Sequence, residues 1–318
     1  MKVSVLVITY NHEPFITQAI QSALAQETLF DYEIVVGEDC STDNTRAILL
    51  EMQQQYPDKI RLLLQEKNLG MLSNFSATLS SCRGQYIAML EGDDYWTSPH
   101  KLQKQVEFME THPECSICAH VAQIVDENNH PINEIPAPKY RQTISTLENL
   151  LEHNFVPTCS VIFRRGLFGE LPEWFFTLTQ GDWPLHVLNA QFGKIGFLNE
   201  TMAAYRLHIN SVWSTTQKTH RLRAIIHTYG VLDEHLQHRY HHLIQRMIWK
   251  YQYDLAVAYE SNGEITNARR CIKACLIPNW KYGGITRRKL IETMIRLYTP
   301  IIYQLMRTAK TAISPGKK

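Results

Sequence analysis

The run Val3-Ser-Val-Leu-Val-Ile8 decides the fold class of this chain. It is an almost continuous apolar stretch, which is typical of a strand buried on both faces of a parallel sheet. Residues 14–26 follow it with the apolar spacing of a helix, and residues 32–37 form a second β-branched run. Alternation of strands and helices at this spacing predicts a parallel α/β sheet with right-handed crossovers.

The same alternation continues along the chain. Further strands are predicted at residues 60–64, 85–90, 116–125, 159–163 and 195–198. Further helices are predicted from the capping residues 41–45 to residue 56, and at 73–82, 98–110 and 182–192. Residues 131–143 contain three prolines and are expected to form a surface loop. Beyond residue 215 helical patterns take over, at 253–261, 265–276 and, as one amphipathic helix, 287–310.

Charge divides the chain into two halves. The 318 residues carry 32 Lys and Arg against 31 Asp and Glu, which gives a net charge of +1. Residues 1–214 hold 14 basic and 25 acidic side chains, whereas residues 215–318 hold 18 basic and 6 acidic ones. With the change in pattern, this split predicts a catalytic domain at 1–214 and a basic helical region at 215–318. Charged residues are only 20% of the chain and hydrophobic ones 44%, which excludes a disordered chain.

The sequence gives no sign of a membrane-spanning or exported protein. We find no stretch of the roughly 18 uncharged apolar residues that a spanning helix needs. The apolar run at residues 3–8 is too short for a signal peptide. Seven scattered cysteines favour a reducing compartment. We therefore expect a cytoplasmic protein.

The basic helical region leaves several interpretations open. The amphipathic stripe at 287–310 could lie on the anionic inner face of a membrane, pack on the first domain, or hold two subunits of a homo-oligomer together. Ordinary packing is favoured. No nucleic-acid partner is expected, because no binding motif accompanies the charge. Residues 220–242 are rich in His, and we interpret them as a solvated helix face, because no carboxylate or cysteine completes a metal site there.

The segment Leu90-Glu-Gly-Asp-Asp-Tyr-Trp96 carries the clearest chemical signal. Three carboxylates, on Glu91, Asp93 and Asp94, directly follow a predicted buried strand. Like charges at such spacing need a cation or a set of hydrogen-bond donors. Ligands of open α/β sheets collect at the carboxyl ends of strands. The segment therefore predicts a Mg²⁺ or Mn²⁺ site that binds a phosphate, in preference to a solvated acidic turn.

Two other predicted strands end in polar residues. Thr9-Tyr-Asn-His-Glu13 closes the first strand, and its aromatic and amide groups suit a nucleobase. Gly37-Glu-Asp-Cys-Ser-Thr-Asp43 closes the second, where Asp39 could accept a hydrogen bond from a base or a ribose. Each segment alone fits an ordinary turn or helix cap equally well.

Five strings together resemble one family, the family 2 glycosyltransferases with the GT-A fold. The resemblance runs from residue 2 to about residue 212. It rests on these strings in this order: Val5-Leu-Val-Ile-Thr-Tyr-Asn-His-Glu13, Glu38-Asp39 with Ser41-Thr-Asp-Asn-Thr45, Asn68-Leu-Gly70, Glu91-Gly-Asp-Asp94 and Gly181-Asp-Trp183. The fold implied is a mixed, mostly parallel sheet flanked by helices.

The resemblance also implies residue roles on the donor side. Asp39 would bind the base, typically uracil, and Asp93 would bind the metal that bridges the diphosphate. Glu91 stands where many members have the first Asp of an Asp-x-Asp motif. The implied donor-binding set is Thr9, Tyr10, Glu13, Asp39, Asn68, Gly70, Asn74, Glu91, Asp94 and Arg206.

The implied catalytic base is Asp182, which matches the family's position before Trp183 and would take the proton of the acceptor hydroxyl. The string Tyr205-Arg-Leu-His208 matches a family segment that closes over the diphosphate. Arg206 would neutralise phosphate charge, and His208 would bind the metal or a phosphate oxygen. The implied reaction is direct displacement with inversion, assisted by Mn²⁺ or Mg²⁺.

The expected function is transfer of a sugar, most simply from a UDP-sugar, to a hydroxyl of a glycan, lipid-linked glycan or protein acceptor. Bacterial surface-polysaccharide assembly is the context that the family suggests. A sugar nucleotidyltransferase is a weaker alternative, because Thr9-Tyr-Asn-His-Glu13 lacks the glycine and lysine of a phosphate-binding loop. A non-catalytic nucleotide-sugar-binding or scaffold protein is the other alternative, and the presence of both Asp93 and Asp182 argues against it.

Overall fold

The computed structural model describes residues 1–135, 143–209 and 216–304. Its internal contacts divide the chain into two compact units, Met1–Ser214 and Thr215–Lys318. Each unit has its own cluster of buried apolar side chains. The first contains the sheet and the second is helical.

The described part of the first unit contains one sheet of ten strands in the order β3-β2-β1-β4-β9-β6-β10-β5, with β7 paired to β6 and β8 to β10. β1, β2, β3 and β4 run parallel, β9 is antiparallel to both β4 and β6, and β10 is parallel to β6. The strands are β1 Val3–Thr9, β2 Tyr32–Glu38, β3 Ile60–Leu64, β4 Tyr86–Glu91, β5 Tyr95–Trp96, β6 Cys115–Val125, β7 Pro131–Ile135, β8 Ile144–Ser145, β9 Ile162–Arg164 and β10 Lys194–Arg206.

Helices connect and flank these strands. In the first unit they are α1 Ile16–Leu24, α2 Thr45–Gln55, α3 Met71–Ser81, α4 Lys101–Thr111, α5 Leu147–Glu152 and α6 Asp182–Ala190. The predicted strand–helix alternation and the mixed, mostly parallel sheet are confirmed.

Several predicted boundaries were wrong. The proline-containing segment begins with a strand, β7, and residues 136–142 of that prediction lie outside the described residues. The predicted short strand at 195–198 is part of the 13-residue β10, because that strand pairs along β6 through several register shifts. At 159–163 a 3₁₀ turn, Thr158–Ser160, precedes a shorter strand, β9.

The register of the parallel strands brings their carboxyl ends to one edge of the sheet. Thr9 at the end of β1 lies opposite Glu38 at the end of β2. Ile8 lies opposite Glu91 at the end of β4. Segments that follow three different strands therefore meet at this edge, which is where ligands bind in open α/β sheets.

The second unit is built from α7 Lys218–His235, α8 His241–Ser261, α9 Ile265–Tyr282 and α10 Arg287–Tyr298. Arg296 of α10 donates two hydrogen bonds, of 2.6 and 2.7 Å, to the carboxylate of Glu260 on α8. The predicted continuous helix at 287–310 is interrupted at Thr299, because the following Pro300 disfavours helical backbone at that residue. Residues 305–310 of the prediction lie outside the described residues.

The expectation that no carboxylate accompanies the histidines of residues 220–242 was wrong, because Asp233 contacts both His238 and His241. Within the described residues, none of the helices has both the length and the apolar character needed to cross a membrane.

Gly37 is required by the close packing of α3 on β2. A Cβ atom at this position would lie 1.9 Å from Oγ1 of Thr78 and 2.8 Å from Oδ1 of Asn74. Asn74 is itself buried, and its Nδ2 donates a 2.8 Å hydrogen bond to the Gly37 carbonyl. The structure thus explains why a glycine precedes Glu38 and Asp39 in the second strand-end segment.

We predict that Gly37→Ala lowers the free energy of unfolding by about 1–3 kcal/mol, the usual cost of overpacking a filled site. Urea denaturation of the full chain measures this change. Gly230→Ala in α7 is the control, because no atom lies within 4 Å of its added Cβ. That control should be neutral or stabilising by up to about 1 kcal/mol. Equal behaviour of the two variants would contradict the packing argument.

Candidate active site

Asp93 lies at the centre of the candidate site, in the turn after β4. Its Oδ2 lies 2.9 Å from Nε2 of His208 and 3.9 Å from Nε2 of His12. His12 comes from the segment after β1, and His208 from the segment after β10. The fold thus brings two imidazoles and one carboxylate together, with their ligand atoms within 4.8 Å of one another.

The two imidazole rings are held by different neighbours. Nδ1 of His12 lies 3.2 Å from Oγ1 of Thr9, which leaves Nε2 on the side of Asp93. Burial lowers the pKa of His12, and the nearby Asp93 opposes that effect. The His208 side chain is only 3% exposed, and its ring centroid lies 4.8 Å from that of Phe15. Both rings are therefore fixed before any ligand arrives.

Glu91 and Asp182 line one small cleft at the end of β4. Burial raises the pKa of Glu91 well above its ordinary value, and the charges of Asp93, Asp94 and Asp182 raise it further. Three carboxylates therefore act on one buried carboxyl group at this point of the sheet. Such a cluster calls for compensating positive charge.

Asp182 is the first residue of α6, and its carboxyl group is both buried and hydrogen-bonded. Burial raises its pKa, while hydrogen bonds from the backbone and from the side chains of Thr158 and Asn154 limit the rise. The next residue, Trp183, is buried and donates its Nε1–H to the Leu150 carbonyl at 3.2 Å. Because Trp183 is anchored, the Asp182 carboxyl group is held at the cleft.

Asp94 points into the protein. It is 1% exposed, and its Oδ1 accepts a 2.8 Å hydrogen bond from the backbone N–H of Arg206. Burial, and then the charge of Asp93, raise its pKa well above the ordinary range. This geometry favours a role in attaching the turn after β4 to the end of β10, rather than the direct donor contact that the resemblance implies.

The Arg206 side chain is likewise directed inward, and its guanidinium donates four hydrogen bonds to the protein. Nε donates to the Asp93 carbonyl at 2.7 Å, and Nη2 donates to Oε1 of Gln18 at 2.8 Å. Nη1 donates to the Glu127 carbonyl at 3.2 Å and to Oδ1 of Asn129 at 2.9 Å. With 2% of its surface exposed, Arg206 positions the Asp93 turn, and the geometry does not place it as a direct phosphate ligand.

Asp39 joins the segments that follow β1, β2 and β3. Its carboxylate accepts hydrogen bonds from the backbone N–H groups of Leu69, at 2.7 Å, and Gly70, at 3.0 Å. Its own N–H donates to the Thr9 carbonyl, and its carbonyl accepts from Nδ2 of Asn68. Each carboxylate oxygen can still accept another hydrogen bond. The base contact implied by the resemblance stays a prediction.

Glu13 connects the first two strand-end segments. Its two carboxylate oxygens accept from the backbone N–H of Asn44, at 3.1 Å, and from Asn44 Nδ2, at 2.7 Å. Asn11, with a left-handed φ of 55°, donates its N–H to Ser41 Oγ. Tyr10, between these contacts, is 42% exposed and free to meet a ligand ring. Thr9 and Asn74 are buried supports beneath the site.

Gly92 permits the close approach of the segments after β1 and β4. A Cβ atom there would lie 2.5 Å from Oγ1 of Thr9 and 2.8 Å from Nδ1 of His12. The glycine in Glu91-Gly-Asp93 is therefore the reason that His12 can come close to Asp93.

The chemistry of the donor atoms fits a divalent metal ion. Ligand atoms bound at about 2.1 Å lie roughly 3–3.5 Å apart. The Asp93–His208 and Asp93–His12 separations of 2.9 and 3.9 Å bracket that range. The contact between His12 Nδ1 and a hydroxyl matches the usual support of a metal-binding imidazole. Mixed nitrogen and oxygen ligands suit Mn²⁺ better than Mg²⁺, which prefers oxygen alone.

Comparison with known proteins identifies the class to which this fold and site belong. The sequence model of Glycosyl transferase family 2 matches residues 4–170, just over half of the chain. The chain belongs to this family.

An uncharacterized protein of Mycobacterium tuberculosis is similar to this chain, with 38% identity over 219 residues. The match covers 69% of this chain and 62% of the relative, so the chain spans less than two thirds of that relative's length.

Two solved structures share the fold. The mannosyltransferase PcManGT from Pyrobaculum calidifontis, in complex with GDP-Man and Mn²⁺, has a TM-score of 0.60 at 15% identity, covering 96% of this chain and 83% of that chain. S. aureus TarS 1-349, in complex with UDP-GlcNAc, has a TM-score of 0.56 at 19% identity, covering 93% and 79%. These likenesses confirm the predicted GT-A fold.

We predict that Arg206→Lys lowers the free energy of unfolding by about 2–3 kcal/mol, because a lysine cannot satisfy the four acceptors that the guanidinium reaches. Urea denaturation measures the loss. Arg83→Lys is the matched control, since the Arg83 side chain is 63% exposed. Its effect should stay within about 0.5 kcal/mol. An unchanged free energy of unfolding in Arg206→Lys would contradict the positioning role.

Proposed function

We propose that this chain is a glycosyltransferase that moves a sugar from a nucleotide-sugar donor to a hydroxyl group. The observation that carries the proposal is the placement of Asp182 and Glu91 in one cleft, next to Asp93 with its two imidazoles. A proton-accepting carboxylate and a cation site are the two parts that metal-assisted transfer from a diphosphate needs. Membership of glycosyl transferase family 2 supports the assignment.

The proposed metal ligands are Asp93, His208 and His12. When bound, a divalent ion would supply Lewis-acid stabilisation of the leaving diphosphate. Compared with Mg²⁺, which prefers oxygen ligands alone, Mn²⁺ is the better match for two imidazoles combined with a carboxylate and the oxygens of a diphosphate. The Mn²⁺ in the complex of PcManGT supports this choice.

Asp182 is proposed as the general base. Its carboxylate would take the proton from the acceptor hydroxyl as the oxygen forms a bond to the anomeric carbon. The bond from that carbon to the phosphate oxygen breaks, and its electron pair leaves with the nucleoside diphosphate. Attack from the side opposite the leaving group inverts the anomeric configuration.

The nucleoside would lie over the segments after β1 and β2. Exposed Tyr10 offers a ring for stacking, and Asp39 offers acceptor oxygens to a base. A UDP-sugar is the donor we expect, and the UDP-GlcNAc complex of TarS supports a nucleotide-sugar of this kind. The shape of this pocket would depend on hydrogen bonds to the backbone of the strand-end segments, made by Glu13, Asn68, Gly70 and Asn74.

The acceptor is proposed to be a glycan, a lipid-linked glycan or a protein hydroxyl, in bacterial surface-polysaccharide assembly. The unit Met1–Ser214 would carry catalysis, because every proposed site residue lies in it. The basic unit would serve packing, self-association or peripheral contact with an anionic membrane on the cytoplasmic side.

We predict that Asp182→Asn reduces turnover by about 10²–10⁴-fold, the usual contribution of a general base, with little change in donor affinity. Release of nucleoside diphosphate measures turnover, and calorimetry with the donor measures binding. The exposed Asp31→Asn is the control and should keep full activity. Wild-type turnover in Asp182→Asn would refute the mechanism, while loss of turnover together with loss of donor binding would indicate a structural role.

We predict that His12→Ala weakens Mn²⁺ binding at least about tenfold, because the site loses one ligand. The electron paramagnetic resonance signal of free Mn²⁺, recorded with UDP present, reports the affinity without any turnover. His220→Ala is the control, since that side chain is exposed and belongs to the second unit. Unchanged Mn²⁺ affinity in His12→Ala would remove His12 from the ligand set.

A further inference from the structure

We propose that Asp233, His238 and His241 bind a divalent transition-metal ion of the Zn²⁺ class, at a site in the second unit that is separate from the sugar-transfer site. Nδ1 of His241 lies 2.6 Å from Oδ2 of Asp233, and Nδ1 of His238 lies 3.4 Å from the same oxygen. The three ligand atoms all lie within 4.8 Å of one another. The proposal does not depend on the glycosyltransferase assignment.

The three residues come from both sides of one helix–turn–helix. Asp233 lies in the last turn of α7, and His241 is the first residue of α8. His238 lies in the turn between them, with a left-handed φ of 58° that few residues other than glycine adopt. Its backbone N–H donates to the Asp233 carbonyl at 2.9 Å, so the turn itself holds His238 beside the carboxylate.

The Asp233 carboxylate is more deeply buried than a simple surface ion pair with histidine would be. The residue is 4% exposed, and its Oδ1 is buried with no hydrogen-bond partner among the described residues. A buried carboxylate oxygen without a partner is costly. The two imidazoles face the other oxygen, Oδ2, and a metal ion bound there would neutralise the charge of this buried carboxylate.

The imidazoles are placed as metal ligands usually are. Both face the carboxylate through Nδ1, and Nε2 of His241 lies 3.5 Å from the hydroxyl of Tyr282, a supporting contact of the kind that orients a ligand ring. The His238 and His241 side chains are 64% and 43% exposed, so an ion can enter from solvent. An ion bound by these three ligands would have a fourth coordination position available to water.

The distances fit a tetrahedral ion after a small adjustment. Zn²⁺ binds imidazole nitrogen and carboxylate oxygen at about 2.0–2.2 Å, which separates neighbouring ligand atoms by about 3.4 Å. The Asp233–His238 separation already has this value. The Asp233–His241 separation is a hydrogen-bond distance and has to open by about 0.8 Å, which a partly exposed ring can do. Two imidazoles with one carboxylate favour Zn²⁺ and its neighbours over Mg²⁺ or Ca²⁺.

The test uses the full chain carrying Asp93→Ala and His208→Ala, so that the first site no longer competes for metal. Zn²⁺ is titrated against a chromophoric chelator. We expect one Zn²⁺ per chain, and at least tenfold weaker binding when Asp233→Asn, His238→Ala or His241→Ala is added. His242→Ala is the matched control, because His242 lies beside His241 outside the cluster, and it should leave the affinity unchanged.

Co²⁺ gives a second readout, since its visible absorption reports tetrahedral nitrogen and oxygen ligands directly. Far-ultraviolet circular dichroism checks that each variant is folded. His238→Ala changes an exposed side chain in a turn and should fold normally, which keeps the test valid if Asp233→Asn does not. Absence of Zn²⁺ binding, or unchanged affinity in folded His238→Ala and His241→Ala, would overturn the proposal and leave a metal-free ion pair.

Discussion

Repulsion among the carboxyl groups at the carboxyl end of β4 is the constraint on which the rest of the site depends. Glu91 is buried there, and its pKa rises well above the ordinary value because of that burial and, in addition, because of the charges of Asp93, Asp94 and Asp182. A fold that keeps such a cluster must surround it with donors and positive charge. Here the compensation comes from the two imidazoles beside Asp93 and from the N–H groups that donate to Asp94 and Asp182.

The same constraint explains why so many charged residues near the site face the protein instead of solvent. Arg206 fixes the Asp93 turn through its guanidinium, and Asp39 collects the N–H groups of the segment before α3. Glu13 joins the segments after β1 and β2. These contacts hold the side chains proposed for catalysis before a substrate arrives, so little binding energy is spent on ordering them.

The strand–helix alternation was readable from the sequence because buried parallel strands are apolar without interruption, as in Val3–Thr9. The family strings also identified the sheet edge at which Asp93 and Asp182 lie. The sequence could not show that Asp94 and Arg206 point inward, because a motif records the residue type and not the side-chain direction. For a related reason, the sequence did not indicate the metal-binding roles proposed for His12 and Asp233. Their partners are brought together by the fold: His12 meets Asp93 only through the space left by Gly92, and Asp233 meets His238 through a turn in which His238 has a left-handed φ.

A crystal of the full chain grown with Mn²⁺ and UDP, with data collected at the manganese absorption edge, would show whether Asp93 binds the metal that holds the diphosphate. We expect an anomalous peak bonded to the carboxylate of Asp93 and to the imidazoles of His12 and His208, with the diphosphate bound to the same ion and Asp182 across the cleft. An ordered UDP whose diphosphate lies away from Asp93, with no manganese on that carboxylate, would contradict it.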